Sequence, residues 1–330
     1  MDIYSKLPRP FFVLAPMDDV TDTVFRRIVA GTAAPDLFFT EFVNVDGLQS
    51  PGRPRLTKKL RFTPGETPLI AQVWGKVPEN FFKTAQQLAD GTFARELGLP
   101  EGVNFAGVDL NMGCPVKSEV TNGTCSALIN NRPLALEIIQ ATKEGVAGKL
   151  PVSVKTRLGF SAVDMTWPEL LLKQDLAMLT MHGRTRKEMS KVPAHWDLIG
   201  NVRELRDEIA PNTLFVGNGD VSSRQHGLEL IERYKLDGVM IGRGVFQDPF
   251  VFASDSPWEG YSKEARIKLF AKQVALFGET WEDHERPIHT LNKFCKIYIN
   301  GFDGAKEMRE QFMQASSCQD LASMLENALL

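Results

Sequence analysis

Eight short apolar segments, separated by longer amphipathic ones, are the feature that most constrains the fold of this chain. The predicted strands are residues 11–17, 37–43, 68–74, 107–112, 151–158, 178–183, 214–219 and 237–244. Short apolar runs that alternate with helical periods are typical of a parallel sheet covered by helices. Eight such units within about 250 residues predict an α/β fold, the (β/α)8 TIM barrel.

The ends of the first and last predicted strands argue against the alternative fold, an open doubly wound sheet. Such a sheet would carry a GxGxxG turn directly after its first strand if it bound a dinucleotide. Here the first strand ends in APM at residues 15–17. The nearest match, GRG at 242–244, follows the last strand and lacks a third glycine. The barrel is therefore the predicted fold.

The chain changes character after the last predicted strand. Residues 254–260 are rich in turn formers, and the residues beyond them have a helical period throughout. Two domains are predicted: a barrel over 1–253 and a small C-terminal helical domain over 262–330.

The overall charge and the cysteines limit the function. The 330 residues carry a formal net charge of −3, which argues against a protein that coats nucleic acid. The four cysteines form neither a CxxC pair nor a disulfide framework, and the five histidines form no HExxH motif. We therefore expect a reducing compartment and no bound metal.

No segment of the sequence suggests targeting to a membrane. The first residues lack a basic region that leads into an apolar core, and no apolar run approaches the ~20 residues that span a bilayer. We expect a cytoplasmic protein without membrane contact, and no obligate protein partner is evident. Two basic segments, 53–61 and 184–191, are either solvated loops or contacts for the phosphates of a nucleic acid.

Polar residues and glycines cluster where the predicted strands end. In a (β/α)8 barrel the carboxyl ends of all strands face one mouth, where the chemistry takes place. The residues at these ends are Gln72, Asn111, Cys114, Lys155, Arg157, His182, Asn218, Gly219, Asp220, Gly242, Arg243 and Gly244.

Cys114 lies on a stiff corner, because Gly113 permits a tight turn and Pro115 fixes φ just after it. Two interpretations are open from the corner alone. A free cysteine is often a small apolar filler, and a thiol at a strand end is also a candidate for catalysis.

The glycines that end the last two strands predict a phosphate site, since they expose backbone N–H groups at helix starts and Arg243 adds a fork of donors. A phosphorylated cofactor is implied, and flavin mononucleotide (FMN) suits the other residues. Gln72 would hydrogen-bond the ring edge, and Lys155 would place positive charge at the pyrimidine end of the ring. Pro16 and Met17 would pack under the ring.

Several motifs, all in the same order, resemble the tRNA-dihydrouridine synthase family. They are APM (15–17), TEFV (40–43), DLNMGCP (109–115), NGTCSAL (122–128), VSVKTRLG (152–159), MHGRT (181–185), VGNGDV (216–221) and DGVMIGRG (237–244). The tail segment 293–309 is similar to the helical domain of that family. The TEFV run and the tail are similar to its C-type bacterial branch.

This resemblance implies a set of functional residues. The implied catalytic residue is Cys114, and substrate contacts are expected from Asn111, Arg157, Lys293 and Lys296. The implied FMN-binding residues are Ala15, Pro16, Met17, Gln72, Lys155, His182, Asn218, Gly219, Asp220, Gly242 and Arg243. The chain departs from the family pattern at residues 124–126, where Cys125 places a second thiol nearby, and we interpret that thiol as packing.

The resemblance also implies a reaction, namely reduction of the C5–C6 bond of a uridine in the tRNA D-loop with NADPH as the reductant. Reduced FMN would give hydride to C6, and Cys114 would give a proton to C5 if its thiol keeps a pKa near the ordinary ~8.5. Two alternatives are an FMN oxidoreductase of small molecules, of the dihydroorotate dehydrogenase type, and a non-catalytic RNA-binding barrel.

Overall fold

A computed structural model describes residues 3–281 and 285–329. Contacts within the chain define two compact units. The first unit extends to Gly242 but lacks Val24–Ala34. The second contains Val24–Ala34 and the residues from Arg243 onward. The two domains predicted from the sequence, 1–253 and 262–330, stay a prediction.

The first unit is a barrel of parallel strands. Its strands are β1 (Phe11–Leu14), β2 (Phe38–Phe39), β3 (Val43–Asn44), β4 (Leu69–Trp74), β5 (Gly107–Met112), β6 (Val152–Arg157), β7 (Met178–His182), β8 (Leu214–Asn218) and β9 (Gly238–Ile241). The order around the sheet is β1-β9-β8-β7-β6-β5-β4-β2. A parallel bridge between Val13 and Leu37 joins β1 to the segment that enters β2 and closes the ring.

The predicted (β/α)8 barrel is confirmed, with one local difference. The predicted strand 37–43 is two short strands, β2 and β3, which both pair with β4. The residues between them, Thr40 and Glu41, use their side chains for hydrogen bonds to neighbouring backbone. Thr40 Oγ1 accepts from Gln72 N at 3.1 Å, and Glu41 Oε1 accepts from Asp19 N at 2.7 Å.

Helices alternate with the strands of the barrel. In the barrel unit they are α2 (Val45–Leu48), α3 (Arg53–Thr57), α4 (Pro78–Ala89), α5 (Thr92–Glu96), α6 (Lys117–Thr121), α7 (Arg132–Val146), α8 (Thr166–Leu172), α9 (Trp196–Ile209) and α10 (Arg224–Tyr234). Prolines lie in the first turns of α4 and α7, and Ser223 caps α10 through a hydrogen bond from His226 N.

The second unit is helical, as the sequence predicts for the tail. Its helices are α1 (Thr23–Ala33), which begins one residue before the unit, α11 (Lys263–Thr280), α12 (Asn292–Tyr298), α13 (Ala305–Phe312) and α14 (Cys318–Asn327). The apolar side chains along one face of α11, which include Phe270 and Phe277, are buried. Among the described residues, none of the helices is both long and apolar enough to span a membrane.

The interior of the barrel is apolar on one side and polar on the other. Alternate residues of a strand point to the same face, and those of β1, β8 and β9 contribute Val13, Val216 and Met240 to the apolar core. The corresponding residues of β5 and β6 are Asp109 and Ser153, both fully buried. Buried polar groups are stable only when they satisfy one another. The polar side must therefore form a connected network.

Helices α4 and α7 pack backbone to backbone at Gly145. A Cβ at this position would lie 2.3 Å from the Phe82 carbonyl oxygen and 2.9 Å from Ala85 Cβ. A backbone oxygen cannot swing away as a flexible side chain can. Hence a side chain at residue 145 would force the two helices apart.

We expect Gly145→Ala to lower the free energy of unfolding by about 2 kcal/mol. Overpacking of about 3 kcal/mol outweighs a gain in helix propensity of about 1 kcal/mol. Urea denaturation measures the change. Gly65→Ala is the matched control, because the nearest atom to its added Cβ lies 4.0 Å away. Equal stability of the Gly145 variant and the wild type would contradict the close packing of α4 on α7.

Candidate active site at the carboxyl ends of the strands

The corner that carries Cys114 is held by hydrogen bonds on both its N–H and its carbonyl groups. Asn111 Oδ1 accepts from Gly113 N at 3.1 Å and from Cys114 N at 2.9 Å. Arg157 Nε donates to the Gly113 carbonyl oxygen at 2.7 Å. A Cβ on Gly113 would lie 3.1 Å from Thr156 Cα, so glycine allows the corner to approach β6 closely. The half-buried thiol thus has a defined position.

Arg157 connects this corner to the loop after β7. Its Nη1 donates to the carbonyl oxygens of Thr185, at 3.2 Å, and Met189, at 3.0 Å. Together with the bond to Gly113, these contacts hold a buried guanidinium between two loops of the mouth. Arg157 therefore stabilises the corner that carries Cys114. Its predicted contact with substrate stays a prediction.

Two amides link the corner to a buried carboxylate. Asn111 Nδ2 donates to Gln72 Oε1 at 3.1 Å, and Gln72 Nε2 donates to Asp109 Oδ2 at 2.7 Å. Burial raises the pKa of Asp109 to about 6, although hydrogen bonds from Ser153 and Gln72 lower it. Asp109 is not among the site residues predicted from the sequence. Its position two residues before Asn111 on a strand, hence on the same face, was the available signal.

Lys155 lies beside Asn111 in the register of β5 and β6. It is half-buried, and its ammonium group has neither a hydrogen bond nor an ion pair in the part of the chain that the structure describes. Burial, followed by repulsion from Arg157, lowers the pKa of Lys155 to about 8. On β7 its neighbour in register is Thr180, whose buried Oγ1 also lacks a partner within the described residues. These groups fit a ligand that offers oxygen or nitrogen acceptors.

His182 is held in one tautomer by a buried arginine. Arg184 Nη1 lies 3.2 Å from His182 Nε2. Since an arginine only donates, we assign Nε2 as the acceptor and place the imidazole proton on Nδ1. Arg184 also donates to Asp220 and to the Val192 carbonyl oxygen. Arg184 is only 2% exposed, so the hypothesis that it contacts RNA phosphates is wrong.

Asp220 belongs to the same network. Its carboxylate accepts from Arg184 and, at 3.0 Å, from Ala194 N. The preceding Gly219 has φ +134, and a Cβ there would lie 2.7 Å from Ala194 Cβ. Only glycine suits that position.

The remaining predicted cofactor residues of the barrel unit lie at the ends of β1, β8 and β9. Asn218 is anchored by a 2.8 Å hydrogen bond from Nδ2 to the Met240 carbonyl oxygen. A Cβ on Gly242 would lie 3.5 Å from Ala15 Cβ and 3.9 Å from Met17 Sδ, which shows that these strand ends are adjacent. Pro16, between Ala15 and Met17, is half-buried.

Three predicted residues belong to the second unit. Arg243 is the first residue of the 3-10 helix Arg243–Phe246. Lys293 and Lys296 are exposed on α12, three residues apart and hence on one face of the helix. The structure thus gathers the predicted residues of the barrel unit at one mouth, and the roles of Arg243, Lys293 and Lys296 stay predictions.

The basic segment 53–61 is partly committed to internal contacts. Arg53 forms a two-pronged ion pair with Glu96, at 3.1 and 2.8 Å, and its guanidinium lies 4.4 Å from the centre of the Phe93 ring. Lys59 pairs with Asp18 at 2.5 Å, beside the cluster of Asp18, Asp19 and Glu41. These two cations support the loop, which leaves fewer charges for RNA than the sequence suggests.

The Cys114 thiol has a thiol neighbour. Chiefly because the Cys125 S–H donates a hydrogen bond to its sulfur, the pKa of Cys114 is lowered to about 7, while that of Cys125 is well raised. Ser126 N also donates to the Cys114 carbonyl oxygen at 3.3 Å. The pKa differs from the ordinary value expected from the sequence, because the sequence does not show that the two cysteines meet.

The fold and this site define the class of the protein. A (β/α)8 barrel that presents a thiol, an ammonium group and an imidazole at the carboxyl ends of its strands has the architecture of a barrel enzyme.

Comparison with known proteins identifies the family. The dihydrouridine synthase family model matches residues 13–330. The chain is 47% identical over 328 residues to a probable tRNA-dihydrouridine synthase of Staphylococcus aureus strain COL, covering 98% of this chain and 95% of that protein. It is also 47% identical to the probable tRNA-dihydrouridine synthase 2 of Bacillus subtilis, with coverages of 99% and 96%. The chain belongs to the dihydrouridine synthase family, and is thus an oxidoreductase.

A solved structure supports the fold alone. Histamine dehydrogenase from Rhizobium aligns with a TM-score of 0.50 at 13% identity, covering 80% of this chain and 48% of that one. The predicted family is confirmed by the family model and the sequence relatives, while the branch within the family stays a prediction.

We expect Cys125→Ala to raise the pKa of Cys114. The variant removes the largest cause that lowers this pKa, whereas burial, which raises it, remains. The thiolate is the form that reacts with iodoacetamide, so the rate of alkylation rises with pH through the pKa. The midpoint should lie at about 7 in the wild type and move to higher pH in Cys125→Ala, as followed by peptide mass spectrometry at Cys114.

Cys125→Ser is the matched control, because its hydroxyl still donates a hydrogen bond. It should keep the midpoint close to that of the wild type. An unchanged midpoint in Cys125→Ala would show that Cys125 does not set the pKa of Cys114.

Proposed function

We propose that the protein is an FMN-dependent tRNA-dihydrouridine synthase that reduces the C5–C6 bond of a uridine in the tRNA D-loop, with NADPH as the reductant. The observation that carries this proposal is the Cys114 thiol in a chain of the dihydrouridine synthase family. The thiol is held on its corner near Lys155, which has no hydrogen bond or ion pair to any residue that the structure describes. The names of the relatives support tRNA as the substrate.

The donors at the mouth fit FMN. Lys155 offers a charge without an ion pair in the described residues, and Thr180 offers a hydroxyl without a partner there. Gln72 still has one amide hydrogen and one lone pair beyond the bonds it makes. Lys155 and Gln72 would hold the ring, and Ala15, Pro16 and Met17 would pack against it. His182, Asn218, Gly219, Asp220, Gly242 and Arg243 would complete the cofactor site.

When bound, FMN supplies the hydride that adds to C6 of the uracil. The chain supplies the proton. Cys114 Sγ gives its proton to C5 and is reprotonated from solvent. Because only the protonated thiol donates, activity is present below the pKa of Cys114 and is lost as the pH rises above about 7.

Asn111 would orient the uracil. One hydrogen of Asn111 Nδ2 bonds Gln72, and Oδ1 accepts the two bonds from the corner. The second hydrogen of Nδ2 is therefore left to bond the uracil. The target base must leave its stack to enter a barrel mouth. The exposed Lys293 and Lys296 would contact phosphates around it. Since the chain lacks the GxGxxG turn, we infer that NADPH enters the same mouth before the RNA does, and we expect a cytoplasmic enzyme.

The decisive experiment maps dihydrouridine in the RNA of cells with and without this protein by mass spectrometry. We expect at least one D-loop dihydrouridine of tRNA to disappear without the protein and to return with the wild type. Purified wild-type protein should carry FMN. Colourless protein that cannot take up FMN, or turnover of a free pyrimidine without RNA, would contradict the proposal.

Cys114→Ala tests the proton donor. The variant should remain yellow and be reduced by NADPH at the wild-type rate, because the thiol has no part in that half-reaction. Formation of dihydrouridine should fall by about 100-fold or more, the contribution of a positioned acid. Full formation of dihydrouridine by Cys114→Ala would remove the assignment of Cys114 as the acid.

Lys155→Gln tests the cofactor site. A hydrogen bond from a charged donor contributes about 1.5–3 kcal/mol, so we expect the Kd for FMN to rise by about 10- to 100-fold. Titration of the apoprotein, followed by quenching of FMN fluorescence, gives the Kd. Lys293→Gln, an exposed lysine of α12, is the control and should bind FMN as the wild type does. Equal Kd values for the two variants would exclude Lys155 from the site.

A further inference from the structure

We propose that Asp109 is a positioning residue, which sets the orientation of the Gln72 and Asn111 amides and thereby holds the corner of Cys114. Its carboxylate does not touch the thiol. It acts through two side chains, across the buried polar side of the barrel. The consequence for activity rests on the proposed function, whereas the effect on the corner does not.

The contacts form one continuous series of hydrogen bonds from Asp109 to the corner. Asp109 Oδ2 accepts from Gln72 Nε2 at 2.7 Å, and Gln72 Oε1 accepts from Asn111 Nδ2 at 3.1 Å. Asn111 Oδ1 accepts from the backbone N–H groups of Gly113 and Cys114. All three side chains are at least nine-tenths buried, so water cannot readily replace a missing partner.

The groups at the two ends of this series decide which atom donates and which accepts in each hydrogen bond. An ionised carboxylate only accepts, and backbone N–H groups only donate. Gln72 and Asn111 could each face either way by themselves, because the two ends of a carboxamide have similar shapes. Between Asp109 and Cys114 N, however, only one orientation of both amides gives each donor an acceptor. Asp109 at one end and the two backbone N–H groups at the other thus require the same orientation of both amides, and Asp109 is the end that holds Gln72 against Asn111.

Behind Asp109 the network continues towards the other end of the barrel. Ser153 Oγ donates to Asp109 Oδ1 at 2.6 Å, and Tyr4 OH donates to Ser153 Oγ at 3.3 Å. These contacts occupy the second carboxylate oxygen, Oδ1, and leave Oδ2 to Gln72. Ser153 and Tyr4 are hydroxyls, which can reverse the direction of their hydrogen bonds by rotation.

The rival role for Asp109 is electrostatic, because its negative charge also stabilises the charged form of Lys155. Two variants separate these roles, since they lose the same charge. Asp109→Asn keeps an oxygen that accepts from Gln72, while its amide donates to Ser153, whose hydroxyl turns to Tyr4. Asp109→Leu has a similar size and no acceptor, so it leaves Gln72 Nε2 buried without a partner.

The first measurement is hydrogen exchange of the peptide that contains the Gly113 and Cys114 amides, which needs neither flavin nor RNA. We expect faster exchange in Asp109→Leu and wild-type exchange in Asp109→Asn. Ser153→Ala is the control, because it removes a donor to Asp109 but leaves the bond to Gln72, and its exchange should match the wild type. If Asp109→Leu does not fold, Asp109→Val, whose branched side chain suits a strand, takes its place.

The second measurement separates the two half-reactions. We expect Asp109→Leu to slow uridine reduction by the reduced enzyme by about 10- to 100-fold, the effect of a displaced catalytic group. Both half-reactions in Asp109→Asn should stay within about threefold of the wild type, because the oxygen that accepts from Gln72 is kept.

Two results would overturn the proposal. Wild-type exchange in Asp109→Leu would show that the carboxylate does not hold the corner. Equal losses in Asp109→Leu and Asp109→Asn would assign the effect to charge. If the wild type instead makes no dihydrouridine, the proposed function fails, and the exchange comparison still decides whether Asp109 positions the corner.

Discussion

The two hydrogen bonds that Asn111 Oδ1 accepts from Gly113 N and Cys114 N are the interaction on which the site depends. A side chain at the end of β5 satisfies the first two N–H groups that the strand leaves behind as it turns. Arg157 of β6 holds the carbonyl side of the same corner. The Cys114 thiol is thus presented from a fixed backbone, as the proposed proton donor requires.

The hydrogen bonds of Asn111 belong to a larger network of polar side chains inside the barrel. Strands β4 to β7 bury two amides, a carboxylate and hydroxyls, whereas β1, β8 and β9 bury mainly aliphatic and aromatic side chains. A buried polar group without a partner costs about 1–3 kcal/mol, so the network is connected almost throughout. Among the described residues, two interior groups of β6 and β7 that have no partner, the Lys155 ammonium and the Thr180 hydroxyl, lie side by side in the strand register. Their position fits the proposed cofactor, which would complete the network.

Much of the site could be predicted because strand ends are visible in a sequence. Once the strands are assigned, the mouth of the barrel collects Gln72, Asn111, Lys155 and His182 whatever the details of packing. Asp109, by contrast, lies inside a run that looks like an ordinary buried strand, and nothing in the run shows what it bonds. Arg184 illustrates the opposite error, because a basic residue in a basic segment suggested exposure, whereas the structure buries it against Asp220 and His182.

The sequence by itself determined the order of strands and helices, the position of the thiol at the end of β5 and the family, because these depend on local periodicity and on motifs along the chain. Only the tertiary structure decided which side chains meet across strands. The approach of Cys125 to Cys114 lowers a pKa, and the line from Asp109 through Gln72 to Asn111 orients two amides. Both effects depend on distances of a few ångströms between residues far apart in sequence. Local patterns contain no information about such distances.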